Sequence, residues 1–262
     1  MRVFRLNDGQ IVRVDEMLRS DFSCFLWPSA ILMTKWLASI AHGVGLPRKV
    51  IEIGCGVGLP GIVLSVLGTS VLFTDIDDVN VPLILDTQAR LNNLDKASFI
   101  KLDWNSESRV VRELLLDHFK SDILPDGLLD IDLITGADLF YEPKLYHPLV
   151  RTISTILQVC KRDCHFLTVY QERDSLHSIQ HLLEFYNLHG EMVPKSSFIE
   201  ESPLLEQVNG SEEWNPVEIP AIDSLFCFKI SRQGPRCSQS GDLARLEEVD
   251  KIINMTEIDW FQ

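Results

Sequence analysis

Long apolar runs are missing from this sequence. No stretch of its 262 residues approaches the ~18 to 20 consecutive apolar positions that a membrane span needs, so no membrane partner is expected. Basic charge is also scarce: 24 Lys and Arg stand against 38 Asp and Glu, a formal net charge of −14. Such a surface repels a phosphate backbone, so nucleic acid is not expected as a direct partner and a basic polypeptide is. The opening MRVFRLNDGQIVRV is charged and alternating, with nothing of a signal or transit peptide, and a cytoplasmic or nuclear location is the expectation. The cysteines (Cys24, Cys55, Cys160, Cys164, Cys227 and Cys237) lack the spacing of a disulfide framework and are read as reduced thiols. Cys160, Cys164 and His165 cluster, but they lack a fourth ligand and a second tight pair, so they are read as core and a strand start, with no metal. There is no internal repeat and no low-complexity tract.

What is present is a rhythm. Val3–Arg5 and Ile11–Val14 flank the turn tripeptide Asn7-Asp8-Gly9 and predict an N-terminal β-hairpin. A helix rich in Leu, Ile, Met and Trp follows over Ala30–His42. Strands are then predicted at Lys49–Gly54, Ser70–Asp75, Ser98–Trp104, Ile131–Asp138 and His165–Tyr170. Helices alternate with them at Leu59–Leu67, Val81–Asn92, Val110–Phe119, His147–Cys160 and Ser175–Tyr186. Strand and helix in alternation imply a doubly wound α/β fold with a mostly parallel sheet. Two later strands, Leu188–Val193 and Ser224–Ile230, bring the sheet to seven strands. They have no helix between them, only a loop carrying Glu200, Glu201, Glu206, Glu212, Glu213 and Glu218, and so predict an antiparallel hairpin at the sheet's end. Residues 1–26 are read as a hairpin extension, 27–230 as the main domain and 231–262 as a polar tail with a short helix near Leu243–Ile253.

The segment Ile51-Glu52-Ile53-Gly54-Cys55-Gly56-Val57-Gly58 joins the first strand of the series to a helix. Glycines there let the chain turn sharply and let a ligand lie against the backbone, at the strand ends where open parallel sheets bind ligands. The dinucleotide fingerprint would need a glycine where Leu59 stands, and a phosphate loop would need a Lys followed by Ser or Thr. The pattern that fits is E-x-G-x-G-x-G, a cradle for the methionine and ribose of S-adenosylmethionine (AdoMet). Asp75 closes the second strand of the series, where a carboxylate can accept both ribose hydroxyls. That feature alone does not separate AdoMet from NAD. Trp104, at the end of LDW, is placed either to stack on adenine or to pack in the core, and Trp27 of LWPSA stands before the first helix with Pro28 at its start.

The series LWPSA, VIEIGCGVGLPG, FTDID, LNNL, KLDW, GADLFYEP and VYQERD resembles methyltransferase family 16 over about residues 3–230. These are seven-β-strand, Rossmann-like enzymes of class I that use AdoMet to methylate protein lysines and, in some members, arginine. The resemblance implies that Trp27, Glu52, Gly54, Cys55, Gly56, Asp75, Trp104 and Ala137 bind AdoMet. It also implies that Asp138-Leu139-Phe140-Tyr141 fills the D-x-x-Y motif beside the substrate channel. Asp138, Tyr141 and Glu142 are accordingly the catalytic candidates. The two carboxylates suit a guanidinium, which keeps its charge and is held by such groups. The expected substrate is a basic protein, such as a histone tail or another Lys/Arg-rich chain. Rival readings are an inactive AdoMet-binding scaffold and an NAD-dependent oxidoreductase.

Overall fold

The computed structural model describes residues 1–16, 25–173, 178–199, 204–207 and 213–233. β1 (Arg2–Arg5) and β2 (Ile11–Val14) form the expected hairpin, with Arg5 opposite Ile11. α1 (Pro28–Gly43) starts on the proline of LWPSA, whose ring is compatible with a first helical turn. The alternating series follows: β3 (Lys49–Ile53), α2 (Leu59–Leu67), β4 (Ser70–Asp75), α3 (Asn80–Leu91), β5 (Ser98–Lys101), α4 (Ser108–His118), β6 (Leu133–Ala137), α5 (Tyr146–Val159), β7 (His165–Gln171) and α6 (Gln180–Phe185). β8 (Leu188–Met192), β9 (Leu205–Gln207), β10 (Trp214–Pro216) and β11 (Leu225–Arg232) complete it.

Seven strands form one sheet in the order β5-β4-β3-β6-β7-β11-β8. The five from β3 to β7 are parallel, and β11 runs antiparallel to both its neighbours. The central parallel strands are covered on both faces and are largely apolar, whereas β5 at the edge is part-exposed. Val50 belongs to the core shared with α1, α2 and α3; Ile51 and Ile53 belong to the core shared with α4, α5 and α6. The strand order reverses between β3 and β6, which places the ligand crevice at their carboxyl ends. At the opposite end of the sheet Arg48, Lys49 and Lys161 pair with Asp130, Asp122 and Asp132.

Three details differ from the sequence reading. β5 stops at Lys101; Asp103 turns the chain by accepting from the N–H of Asn105, and Trp104 lies in that turn rather than in a strand. β8 and β11 pair antiparallel at the sheet's end as expected, with β11 between β7 and β8. Its buried Leu225, Cys227 and Ile230 suit an interior strand, whereas β8 exposes most of its residues. The glutamate-bearing loop contains β9 and β10, which join the N-terminal hairpin in a second sheet, β10-β9-β1-β2. Arg2 forks onto Glu206 at 2.6 and 2.8 Å, and Arg5 lies 4.6 Å from the Trp214 ring centre. Finally, the helix expected from Ser175 is seen at Gln180–Phe185. Ser175, Glu200, Glu201, Glu212, Cys24, Cys237 and the helix expected at Leu243–Ile253 lie outside the described residues.

Candidate functional site

The turn from β3 into α2 runs through Gly54, Gly56 and Gly58 at φ of +55°, +50° and +76°, the left-handed region that side chains disfavour. At Gly54 the need is also spatial. A methyl group there would come 2.7 Å from Leu139 Cδ2 and 3.2 Å from Trp104 Cζ2. The loop therefore passes directly beneath two neighbouring walls.

Two carboxylates sit behind it. Asp75, at the end of β4, is 8 % exposed; its Oδ2 accepts the Gly56 N–H at 3.0 Å and its Oδ1 accepts that of Asp77 at 3.2 Å. Burial raises its pKa, and those amides oppose the rise. Glu52 on β3 is more deeply buried, and its Oε2 has no hydrogen-bond partner among the described residues. Burial pushes its pKa up to about 8; the Gly61 amide opposes the shift and the charge of Asp75 adds to it. A methyl group at Gly61 would collide with Glu52 Oε2, so glycine is required for α2 to pass over this acid. The Cys55 thiol is pushed well above its ordinary pKa by burial, which suits a packed wall and not a nucleophile.

These groups open onto one cavity of about 920 Å³. All eleven residues singled out from sequence line it: Trp27, Glu52, Gly54, Cys55, Gly56, Asp75, Trp104, Ala137, Asp138, Tyr141 and Glu142. The Trp104 turn is fastened from α5. Arg151, almost wholly buried, donates through Nη2 to the carbonyls of Trp104, Asn105 and Ser106 at 3.3, 3.2 and 3.0 Å. Trp27 meets Phe25 edge to face at 5.1 Å. Along Asp138-Leu139-Phe140-Tyr141 the chain passes from the buried strand end to the half-exposed cavity mouth. Leu139 and Phe140 are buried, and the Phe140 carbonyl accepts from Tyr146 Oη at 3.0 Å. Asp138 and Tyr141 face the cavity. Tyr141 is half-exposed, with its pKa raised by burial, then by Asp75 and Glu142.

Sequence reasoning missed Phe25, Ile76, Asp77, Leu139 and Arg173 in the lining. The last matters most. Asp138 was expected to present its carboxylate to an acceptor, yet both its oxygens are engaged by the Arg173 guanidinium, at 3.0 and 2.7 Å. Arg173 belongs to VYQERD, so its segment was visible, but its partner lies 35 positions earlier in the chain.

A cavity of this size suits a nucleoside-sized ligand. Its two buried acids suit a diol and a positive charge, and its glycine loop is followed by no phosphate-binding lysine. A ribose-bearing cation fits here better than a pyrophosphate, and AdoMet is that molecule. The fold and site define an AdoMet-dependent methyltransferase. Within that class, the chain belongs to the lysine methyltransferase family, which matches residues 6–184. It is 29% identical over 189 residues to histone-arginine methyltransferase METTL23 of Mus musculus, covering 71% of this chain and 68% of that one. It is 26% identical over 192 residues to protein N-lysine methyltransferase METTL21A of Danio rerio, covering 68% and 80%. Among solved structures, a ribosomal protein L11 methylase from Lactobacillus delbrueckii subsp. bulgaricus aligns with a TM-score of 0.49 and 18% identity, covering 87% of this chain and 88% of that one.

Proposed function

We propose that this protein methylates a basic side chain of another protein, with arginine as the favoured acceptor and histones as the favoured substrate. The observation that carries the reading is the cavity's acceptor side. Asp75 and the glycine loop line one part of it, and the half-exposed Tyr141 lines another beside the carboxylate of Glu142. The similarity to METTL23 proteins favours arginine; the similarity to METTL21 proteins keeps lysine as the second reading.

AdoMet, when bound, supplies a methyl group on a sulfonium, which is transferred by in-line displacement. The protein's task is chiefly to bind and orient, for which ~7–11 kcal/mol is available in principle. Asp75 is placed to hold the ribose diol, and Trp104 to cover the base. Glu142 pairs with Lys144 at 3.7 Å and can turn to a cationic acceptor at the mouth. A guanidinium, with a pKa above 12, keeps its charge late into the reaction and gains from such a carboxylate. A lysine must first lose its proton, which a nearby carboxylate hinders. The net charge of −14 favours the approach of basic tails. A histone acceptor places the enzyme in the nucleus, the cytoplasm or both, which imaging of the tagged protein checks.

The test is methyl incorporation from labelled AdoMet into core histones and into Arg-only and Lys-only variants of their tail peptides. Label in Arg-only peptides supports the arginine reading, and label confined to Lys-only peptides overturns it. Absence of AdoMet binding by calorimetry overturns the whole.

A further inference from the structure

Asp138 ends β6 in the left-handed region, at φ +58°, with its N–H bonded to the Val169 carbonyl at 2.7 Å. An aspartate tolerates that backbone better than most side chains, at a cost that its surroundings offset. What holds it here is at the end of the neighbouring strand, β7. Arg173, two residues past the end of β7, places Nη1 3.0 Å from Oδ1 and Nη2 2.7 Å from Oδ2 of the same carboxylate. The Gln171 N–H reaches Oδ1 as well, at 3.3 Å. The carboxylate is 7% exposed and its guanidinium partner 35%. A planar fork on a planar carboxylate fixes direction as well as distance. Oδ1 thus has two donors and Oδ2 one, which leaves a single acceptor direction on Oδ2.

This arrangement changes what Asp138 can do. It cannot clamp an incoming guanidinium with both oxygens, because an internal guanidinium already has them. It can anchor the turn, since Leu139 and Phe140 are locked in the core immediately after it and Tyr141 follows at the cavity. We propose that Arg173 is a positioning residue for the acceptor side of the cavity: by holding Asp138 it fixes the turn that presents Tyr141 and Glu142. This rests on the reading of the cavity as the methyl-transfer site.

The experiment compares wild type with Arg173→Ala, Arg173→Lys, Asp138→Ala and the double alanine variant. Hydrogen exchange of residues 138–142 reads the turn without any substrate. Uptake there rises at least fivefold in Arg173→Ala, while β3 and α2 keep their protection; unchanged uptake overturns the proposal. AdoMet affinity by calorimetry stays within threefold of wild type. On core histones, kcat falls at least tenfold with KM little changed, and Arg173→Lys recovers part of the loss because it keeps the charge without the fork. The two alanine changes are non-additive, the double variant being no slower than the worse single one. Full kcat in Arg173→Ala, or losses that multiply, overturn the proposal. If wild type puts no methyl on histones, the substrate reading fails while hydrogen exchange still decides the role of Arg173.

Discussion

Gln88 of α3 faces Asp15 as a neighbouring strand would: its Nε2 donates to the Asp15 carbonyl at 2.8 Å and its Oε1 accepts the Asp15 N–H at 2.9 Å. One turn later Asn92 does the same for Arg13, at 2.7 and 2.6 Å. Two carboxamides thus satisfy the edge of β2 where a further strand would otherwise pair, which blunts an exposed edge. They also tie the N-terminal hairpin to the helix that follows the Asp75–Asp77 wall. Beyond the hairpin, Glu16 accepts the N–H of Leu26 at 3.0 Å, beside Trp27. The small sheet is therefore built into the cavity's support.

Gln88→Ala is expected to destabilise the fold by ~2–3 kcal/mol, since Gln88 is fully buried and its loss leaves two main-chain groups of Asp15 without their partner. Urea denaturation measures this. A loss below ~0.5 kcal/mol would show that water replaces the carboxamide freely.

Gly56→Arg is expected to abolish AdoMet binding and leave a folded protein. The position has φ +50°, which costs a side chain ~1 kcal/mol, a tolerable strain. The added side chain would instead occupy the cavity that Gly56 lines. Calorimetry and a melting curve on the same sample separate the two effects. Wild-type affinity would remove the glycine loop from the site.

Asp75→Ala is expected to weaken AdoMet binding more than tenfold, a loss of at least ~1.4 kcal/mol. Its carboxylate is already bonded to the Gly56 amide at 3.0 Å, so the change removes a ligand contact and a support of the loop together. A change under twofold in Kd would sink the ribose assignment.

How far all this was legible depends on the range of the interactions. The central parallel strands announce themselves because burial on both faces makes them largely apolar, and apart from Trp27 the cavity residues singled out come from the parallel strands' carboxyl ends or the segments that follow. β9 and β10 do not, because three residues carry no period and the partner that brings them into a sheet, β1 beside β9, lies about 200 positions away. Trp104 reads as part of a strand because Phe99, Ile100 and Leu102 precede it in SFIKLDW with no Gly or Pro to end the run. The turn that ends the strand depends on Asp103 and on carbonyls held by Arg151, which no local pattern reveals. The partner of Asp138 is hidden for a similar reason. The motif marks the residue, but its ion pair requires Arg173 from another strand end.

Glu52 makes both stability and AdoMet affinity depend on pH. An unfolded chain gives this acid its ordinary value, near 4.5, whereas burial in the fold raises it to about 8. Between those values the folded protein holds a proton that the unfolded chain has released. Stability therefore falls as pH rises across that window, by up to ~1.4 kcal/mol per unit. Glu52→Gln fills the same space beside Gly61, cannot ionise, and should flatten the decline. A residual slope of the same sign remains, because burial also raises Asp75. Below about pH 4.5 the carboxyl is protonated in both states, so the titration of Glu52 adds no difference there. AdoMet carries a positive charge into the cavity, which favours the ionised carboxylate. Wild-type affinity for AdoMet should consequently rise with pH toward about 8, and the affinity of Glu52→Gln should depend on pH much less. Urea midpoints without ligand and AdoMet titrations, both from pH 5 to 9, provide the measurement. Parallel curves for wild type and Glu52→Gln in both would show that Glu52 does not titrate in this range.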